Sequence, residues 1–466
     1  MLLERIYDED LAQASYFIGC QRENTAVVVD PRRDIEVFQR LADEHGMKIV
    51  AVTETHIHAD FLSGTRELAA ATGATMYVSA EGGDDWQYRF DAERLEDGSK
   101  IQIGNITIEA VHTPGHTPEH LSFLVTDGAF ADTPGYMLTG DFVFVGDLGR
   151  PDLLDEAAGG VDTRFEGAQR MFRSLKEKFL TLPDHVQVYP AHGAGSACGK
   201  ALGAIPSTTV GYERTYAWWS KYIENDDEAG FVDELLFGQP DAPFYFGRMK
   251  NQNRQGAAVI GERGDLPEYS ASQLLPQIES GALSFVDTRS VDEVHQGTVK
   301  HALHIPSGGK IASFGSWAVD PDRNPAPLVL LAPDAVAARE IWDHLVRVGI
   351  DDVKGYTASM EGLPQETPEV IDPAELEGFD RDLLLDVRAV SEFQGGHIAG
   401  ADQLHGGRVL WNLERLPQDG TIVTYCQSGL RSSIVANMLR NNGFHVAELD
   451  GSINNWMAQG RDVVSD

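Results

Sequence analysis

The sequence is poor in cysteine and in basic residues, and no apolar run is long enough to cross a bilayer. Three cysteines in 466 residues, Cys20, Cys198 and Cys426, are too few for a disulfide framework and indicate a reducing compartment. The 37 lysines and arginines face 72 aspartates and glutamates, which gives a formal net charge of −35. This charge argues against binding to nucleic acid and to anionic membranes, because both need basic surface.

The start of the chain also lacks a targeting pattern. MLLERIYDEDLAQASYF has no basic segment followed by a long apolar run, so we expect no signal or transit peptide. Together with the sparse cysteines, this predicts a cytoplasmic protein. A hydrophobic content of 42% is typical of a soluble globular chain. The length predicts roughly two to four domains.

The first half of the chain alternates short apolar strands with helical patterns. We predict strands at residues 25–30, 48–55, 103–112, 121–126, 136–141 and 186–190, and helices at 38–46 and 165–180. Strands with interleaved helices favour an α/β sandwich. Residues from about 200 to 265 are first aromatic-rich and then polar. We therefore expect helices that close a first domain at residue 245, followed by a linker at 246–265.

The second half contains a repeat. FVDTRSVDEVHQG (285–297) and LLDVRAVSEFQGG (384–396) align without a gap. The matching residues are Asp287, Arg289, Glu293 and Gly297 in the first copy and Asp386, Arg388, Glu392 and Gly396 in the second. Each copy continues into a strand, a turn and a helix, which predicts two tandem α/β domains at 266–365 and 370–466.

Histidines and acids recur at the ends of the predicted strands. The set consists of His56, His58 and Asp60 in THIHADF, His112 and His116 in VHTPGHTPEH, Asp141 in YMLTGD and His192 in YPAHG. One such histidine alone would more often be packed or solvated. Ligands gathered from several strand ends at one sheet edge predict a metal site.

In this order, the motifs HxHxD, PGHTP, TGD and PAHG resemble the metallo-β-lactamase superfamily over roughly residues 1–245. Two-zinc hydrolases of that superfamily commonly read HxHxDH, and Phe61 cannot replace the final histidine as a ligand. The resemblance therefore implies the persulfide dioxygenase branch, which uses a single iron. Carried over by motif, it implies one Fe(II) per chain, held by His56, His116 and Asp141. Two histidines and one carboxylate form the facial triad typical of non-haem iron oxygenases.

The same resemblance implies roles around the metal. His58, Asp60 and His192 would orient the ligands or contact the substrate. In LGRPD (148–152), Arg150 is our candidate for binding the anionic part of the substrate, with Asp152 positioning it. A structural ion pair is an equally weighted alternative for Arg150.

Two further assignments in this half stay open. We expect His112 to support the turn, although it could compete with His116 for the metal. Cys20 and Cys198 are expected to be buried and inert, as free cysteines usually are.

CQSGLRS (426–432) lies between the apolar strand TIVTY and a helix that we expect to begin near Ser432. A thiol there faces backbone N–H groups and a helix N-terminus, and Arg431 adds positive charge. With its flanking signatures, this region resembles a rhodanese domain. The resemblance implies that Cys426 accepts a sulfane sulfur as a persulfide within a loop that also contains Gln427, Ser428, Gly429, Leu430 and Ser432. In the first copy Ala332 aligns with Cys426, so that copy should be inactive.

The whole chain resembles the multidomain persulfide dioxygenase–sulfurtransferases of bacterial sulfide detoxification. The implied fold is a metallo-β-lactamase αββα sandwich followed by two tandem rhodanese-like α/β domains. The implied substrates are a low-molecular-weight thiol persulfide and dioxygen, and the implied product sulfite would become thiosulfate at Cys426. A homo-oligomer is compatible with this resemblance.

Two other functions stay open. A zinc-dependent, glyoxalase II-like thioester hydrolase fused to a rhodanese would need two metals and no oxygen. A non-enzymatic persulfide sensor would need neither catalytic site.

Overall fold

The computed structural model describes residues 1–156 and 163–465. Residues 157–162, inside the predicted first domain, and residue 466, at the end of the predicted last domain, lie outside the described residues. The chain forms two compact units: Met1–Ala242 with Phe246–Glu262, and Pro243–Tyr245 with Arg263–Asp466. Within the described ranges, we find no helix with the length and apolar character needed to cross a membrane.

The first unit contains two six-stranded sheets, ordered β1-β2-β3-β4-β5-β6 and β12-β11-β10-β9-β8-β7. The strands of the first sheet are β1 (Leu2–Asp8), β2 (Gln13–Cys20), β3 (Thr25–Val29), β4 (Lys48–Thr53), β5 (Thr75–Ser79) and β6 (Glu93–Leu95). Those of the second are β7 (Lys100–Ile103), β8 (Ile106–His112), β9 (Leu121–Asp127), β10 (Tyr136–Gly140), β11 (Gln187–Pro190) and β12 (Thr208–Thr209).

Eight α-helices accompany these sheets among the described residues. They are α1 (Glu36–Glu44), α2 (Thr65–Thr72), α3 (Leu153–Glu156), α4 (Thr163–Ser174), α5 (Val210–Tyr216), α6 (Ser220–Glu224), α7 (Glu228–Leu236) and α8 (Tyr245–Gln255). One core lies between the sheets, where Tyr16 and Val27 pack with Ile108 and Phe123. Two further cores lie under the helices on the outer faces. This is the helix–sheet–sheet–helix sandwich expected from the sequence.

The structure differs from the sequence prediction at residues 103–112, where we expected one strand. Gly104 and Asn105 form a tight turn between β7 and β8, and Gly104 has a φ of +54°. Ile103 pairs directly with Ile106 across the hairpin, and both side chains are buried. A Gly-Asn pair between alternating apolar residues is a hairpin signal. The sequence prediction did not take it into account and joined the two strands into one.

The predicted linker at 246–265 also differs from the structure. Residues 245–255 are helical, and Phe246 and Met249 are buried in the first unit, as is Asn253. The sequence analysis did not predict this helix, because only its first turns have apolar side chains. Nearer its C-terminal end, the side that faces the core carries hydrogen-bonding side chains.

The second unit contains two parallel sheets, ordered β15-β13-β16-β17 and β19-β23-β22-β20-β21, and a small sheet β14-β18. The strands are β13 (Ser284–Asp287), β14 (Thr298–Val299), β15 (Leu303–His304), β16 (Leu328–Leu331), β17 (Val353–Thr357), β18 (Gln365–Glu366), β19 (Glu369–Ile371), β20 (Leu383–Asp386), β21 (Asp402–Gln403), β22 (Thr421–Tyr425) and β23 (His445–Leu449). The helices are α9 (Ala271–Glu279), α10 (Val291–Gln296), α11 (Ile311–Ala318), α12 (Ala335–Val346), α13 (Val390–Gly395), α14 (Gly406–Val409), α15 (Leu430–Asn441) and α16 (Ser452–Ala458).

The two copies of the repeat share one internal contact. In each copy the arginine pairs with the aspartate two residues before it, and the Nη2 donates to a glycine carbonyl. That bond is 2.7 Å from Arg289 to Gly297 and 2.8 Å from Arg388 to Gly396. Ala332 directly follows β16, as Cys426 directly follows β22. Both copies therefore present the same strand-end position, but the first copy has no sulfur there.

Candidate metal centre and persulfide loop

His56, His116 and Asp141 come together at the edge of the sandwich. His56 follows β4, His116 lies in the turn between β8 and β9, and Asp141 follows β10. Their ligand atoms lie within 4.8 Å of one another, and all three residues are buried. The Oδ2 of Asp141 is 3.5 Å from His116 Nε2 and 3.9 Å from His56 Nε2.

The carboxylate of Asp141 is the clearest sign that a cation belongs here. Both of its oxygens are buried, and neither has a hydrogen-bond partner among the described residues. A buried carboxylate without compensation is costly. The donor set of two imidazoles and a carboxylate suits a divalent transition metal, so the residues present fit the expected ion.

Hydrogen bonds turn the imidazoles so that Nε2 faces this centre. His116 Nδ1 lies 3.0 Å from the Arg150 carbonyl, and His56 Nδ1 lies 2.9 Å from the Thr55 hydroxyl. Burial lowers the pKa of His116, and burial with neighbouring histidines lowers the pKa of His56 well below its ordinary value. Both rings are therefore held neutral, which is the form that binds metal.

His58 takes a different position from His56. Its Nε2 lies 3.0 Å from Asp30 Oδ1, and its ring packs 4.4 Å from the ring of Phe61. Burial would lower the pKa of His58, but Asp30 outweighs it and raises that pKa to about 9. Asp30 also accepts the Thr55 backbone and hydroxyl hydrogens at 2.7 and 2.9 Å. Asp30, which sequence reasoning missed, thus links His58 to the residue that orients His56.

Asp60, His192 and Cys198 form a second buried group whose ligand atoms lie within 4.8 Å of one another. His192 Nε2 is 3.4 Å from Asp60 Oδ2 and 3.5 Å from Asp141 Oδ1. Asp141 therefore lies between the two groups and presents one oxygen to each. Burial, reinforced by the Asp141 and Asp60 carboxylates, raises the pKa of Cys198 well above its ordinary value. The sequence prediction treated Cys198 only as an inert thiol and did not place it here.

His120 is a positioning residue that the sequence analysis missed, although it lies within the quoted motif VHTPGHTPEH. The Asp141 backbone N–H donates to His120 Nε2 at 3.1 Å. On the other side of the ring, Nδ1 lies 2.9 Å from the Thr113 hydroxyl, and the ring stacks on His56 with 5.1 Å between centroids. His120 therefore fixes one ligand through the backbone and another through ring contact.

The structure places Arg150 beside Asp152, as the sequence analysis expected. Its side chain is 1% exposed and pairs with both carboxylate oxygens of Asp152, while its Nη1 donates to the Ala197 carbonyl at 3.0 Å. These contacts hold the guanidinium in a buried ion pair, and its role in binding substrate stays a prediction. His112 lies outside the metal group, and its Nε2 lies 2.8 Å from the Pro118 carbonyl, where it supports the turn.

Helix α8 contributes to the same region through Asn253. Its side chain amide donates to the carbonyls of His58 and Phe61 at 2.8 and 2.7 Å, and its oxygen accepts the Ser63 N–H at 2.9 Å. Three bonds from one side chain thus restrain the loop that carries His58 and Asp60.

The second candidate site is the persulfide loop, residues 426–432. The Sγ of Cys426 accepts the Gly429 N–H at 3.2 Å and lies 3.5 Å from the Ser432 hydroxyl. Gly429 has a φ of +108°, which favours glycine, and α15 begins at Leu430, two residues earlier than expected. Arg431 is held by Glu392 through bonds of 2.7 and 2.8 Å.

These contacts set the chemistry of the thiol. Burial would raise the pKa of Cys426, but the bonds from Ser432 and Gly429 and the charge of Arg431 outweigh it and lower that pKa. Gln427 reaches outward to Asn454, and Ser428 precedes the glycine turn. The loop therefore stabilises a buried anion on sulfur, either a thiolate or a persulfide.

Known proteins resemble the two parts of the chain. Residues 8–192 match the metallo-beta-lactamase superfamily, and residues 369–459 match the rhodanese-like domain. A solved metallo-beta-lactamase from Staphylococcus aureus subsp. aureus COL is 39% identical, with a TM-score of 0.67, over 76% of this chain and 98% of that one. The chain belongs to the metallo-beta-lactamase superfamily. This superfamily member also carries a C-terminal rhodanese-like domain.

Curated relatives of this metallo-beta-lactamase-fold chain match less than half of its length. The mitochondrial persulfide dioxygenase ETHE1 of Bos taurus is 29% identical over 198 residues, covering 41% of this chain and 68% of the relative. A probable polyketide biosynthesis zinc-dependent hydrolase, BaeB of Bacillus velezensis, is 26% identical over 210 residues, covering 45% and 85%. The relatives therefore include both a dioxygenase and a hydrolase, and the choice between them depends on the residues of the site.

Proposed function

We propose that the chain is a persulfide dioxygenase coupled to a sulfurtransferase, acting in the detoxification of sulfide and persulfide in the cytoplasm. The observation that carries this proposal is the triad His56–His116–Asp141, with the unsatisfied carboxylate of Asp141 at its centre. The persulfide dioxygenase relatives and the intact persulfide loop support it. The division into domains at 1–245, 266–365 and 370–466 stays a prediction.

His56, His116 and Asp141 would hold one Fe(II), and the ion would supply redox chemistry at its open coordination positions. The chain itself keeps both imidazoles neutral, orients them through Thr55 and the Arg150 carbonyl, and buries them. In the balanced reaction, one persulfide, one dioxygen and one water give one thiol, one sulfite and two protons.

Cys426 would perform the second reaction. Its thiolate attacks the terminal sulfur of a persulfide, the carrier leaves as a thiolate, and a Cys426 persulfide forms. Sulfite then attacks the terminal sulfur, thiosulfate leaves, and the electron pair returns to the Cys426 sulfur. The N–H of Gly429, the hydroxyl of Ser432 and the charge of Arg431 stabilise the anion at each stage.

One observation favours the alternative of a zinc-dependent thioester hydrolase. Phe61 removes one ligand of the usual second metal, but Cys198 lies with Asp60 and His192 and could provide another. A second zinc there would suit hydrolysis without oxygen. The hydrolase relative is consistent with this alternative.

Site variants of the iron-loaded full chain test the proposal with glutathione persulfide as substrate. We expect Cys426→Ala to keep oxygen uptake and to accumulate sulfite in place of thiosulfate. His116→Ala should abolish sulfite formation while the Cys426 thiol remains open to alkylation. Thiosulfate formation that survives His116→Ala without added sulfite would contradict the coupling. Hydrolysis of S-lactoylglutathione at full rate without oxygen would favour the zinc alternative.

A further inference from the structure

Helix α15, which begins in the persulfide loop, is covered by both copies of the repeat. β22 and β23 of the second copy pack on it, and so do β15 and α11 of the first copy. Every residue from 432 to 439 is buried, although a helix at the surface of a domain usually exposes one face. The first copy therefore lies against the helix whose first turn contacts the Cys426 sulfur.

His304 of the first copy makes a polar contact with this helix. It is the last residue of β15 and is fully buried. Its Nε2 lies 3.0 Å from the Arg289 carbonyl, and its Nδ1 lies 2.9 Å from the Ser433 hydroxyl on α15. Because a carbonyl can only accept, Nε2 carries the hydrogen, and Nδ1 accepts the hydrogen of the Ser433 hydroxyl. Burial lowers the pKa of His304, which keeps the ring in this neutral form.

The contact continues through the backbone to the sulfur. The Ser433 N–H donates to the Gly429 carbonyl at 3.0 Å. The Gly429 N–H donates to the Sγ of Cys426 at 3.2 Å, and the hydroxyl of the neighbouring Ser432 lies 3.5 Å from the same sulfur. A bond that holds Ser433 in place therefore restrains both donors that stabilise the Cys426 thiolate.

Comparison of the two copies separates the two contacts of His304. The gap-free alignment of the repeat places Gln403 of the second copy opposite His304. Gln403 Nε2 donates to the Arg388 carbonyl at 2.7 Å, which matches the bond from His304 to Arg289. The local bond thus exists in both copies, and the histidine adds a second polar atom that reaches α15.

Further contacts with the first copy lie at the other end of α15. The Nε2 of His295 on α10 lies 3.0 Å from Glu448 Oε2, and Arg440 of α15 donates to Glu448 Oε1 at 3.0 Å. The side chain amide of Asn441 donates to the His301 carbonyl at 2.7 Å. The first copy is therefore linked to α15 at its first and its last turn.

We propose that the first copy positions the persulfide loop of the second copy, and that His304 is the positioning residue for sulfur transfer at Cys426. His304 acts through the Ser433 hydroxyl, and Ser433 acts through the Gly429 carbonyl. A copy that carries Ala332 in place of a cysteine would thus contribute to the reaction of its neighbour. This proposal rests on the proposed sulfurtransferase function.

Alkylation of Cys426 in the full chain by iodoacetamide, followed against pH by mass spectrometry, tests the proposal. Glutamine places its terminal nitrogen where Nε2 of histidine lies, so His304→Gln keeps the local bond, as Gln403 does, but loses the acceptor for Ser433. Asparagine places its oxygen where Nδ1 lies, so His304→Asn keeps that acceptor. We expect His304→Gln to raise the alkylation midpoint and to slow sulfur transfer from thiosulfate to cyanide about 5-fold, the effect of one typical hydrogen bond. His304→Asn should stay nearer to the wild type in both measurements.

Ser433→Ala removes the same bond from the other side. It should raise the midpoint as His304→Gln does, and the double variant should raise it no further. The matched control is His445→Gln, because His445 is exposed at the start of β23, and its midpoint should equal that of the wild type. Near-native circular dichroism is required of every variant, and Ser433→Ala decides alone if the His304 variants do not fold.

A wild-type midpoint in Ser433→Ala would overturn the proposal. Equal shifts in His304→Gln and His304→Asn would also overturn it, because they would make His304 a packing residue only. Absence of sulfur transfer in the wild-type chain would contradict the proposed function at Cys426, whereas the alkylation midpoints measure the positioning independently of that activity.

Discussion

Replacing Asn253 with alanine should loosen the loop that carries His58 and Asp60. Asn253 is 3% exposed and makes three hydrogen bonds to this loop, with His58, Phe61 and Ser63. At a net value of about 1 kcal/mol per bond, the three contribute about 3 kcal/mol to keeping the loop closed. The variant leaves two carbonyls and one amide without their partner, which adds to the cost.

Amide hydrogen exchange followed by mass spectrometry measures this effect locally, so it does not depend on two-state unfolding of a multidomain chain. About 3 kcal/mol corresponds to exchange roughly 100-fold faster in peptides that cover residues 58–64. Asn251→Ala is the matched control, because Asn251 lies on the same helix but is exposed, and it should leave those peptides unchanged. Exchange in Asn253→Ala that stays within a few-fold of the wild-type rate would refute the reasoning.

Three further predictions concern the two sites. His120→Ala removes the acceptor of the Asp141 amide, so competition with a chelator should show metal affinity about 10–100-fold weaker; unchanged affinity would contradict this. Gly149→Ala would place a Cβ 1.8 Å from the Asp141 carbonyl oxygen and should lower metal content and thermal stability, whereas Gly135→Ala, with open space around it, should do neither. Ser432→Ala removes a stabilising donor from the thiolate of the persulfide loop, so the midpoint of its alkylation against pH should rise; in the native chain we expect that midpoint below the ordinary thiol value, because these donors and Arg431 lower the pKa of Cys426. An unchanged midpoint would exclude this role for Ser432.

Candidate metal ligands could be named from the sequence where histidines and acids stand at the ends of predicted strands. His56, His116 and Asp141 each follow or connect core strands, so the sheet order brings them to one edge. The residue pattern alone gave a larger set of candidates, and the family resemblance implied these three. The position of Cys198 in the site could not be predicted, because Cys198 lies in an irregular segment after β11 with no periodic pattern. Only the folded chain shows that it approaches Asp60 and His192.

Charged and polar residues were the hardest to assign from the sequence. Arg150 could face a substrate or a partner within the chain, and the difference depends on where Asp152 and the Ala197 carbonyl lie in three dimensions. Most of helix α8 was predicted to be a linker, because polar residues such as Lys250 and Asn253 interrupt any apolar stripe along it. Its inward face is stabilised by hydrogen bonds, which leave no trace in hydrophobic periodicity.

Oxygen uptake by the full chain on addition of glutathione persulfide tests the central claim most directly. The chain is prepared metal-free, loaded with Fe(II) and loaded with zinc. The account predicts uptake by the iron form alone, with sulfite or thiosulfate formed in equal amount to the oxygen consumed. Stoichiometric iron on the His56–His116–Asp141 triad without oxygen uptake, for glutathione persulfide and for cysteine and coenzyme A persulfides alike, would contradict it.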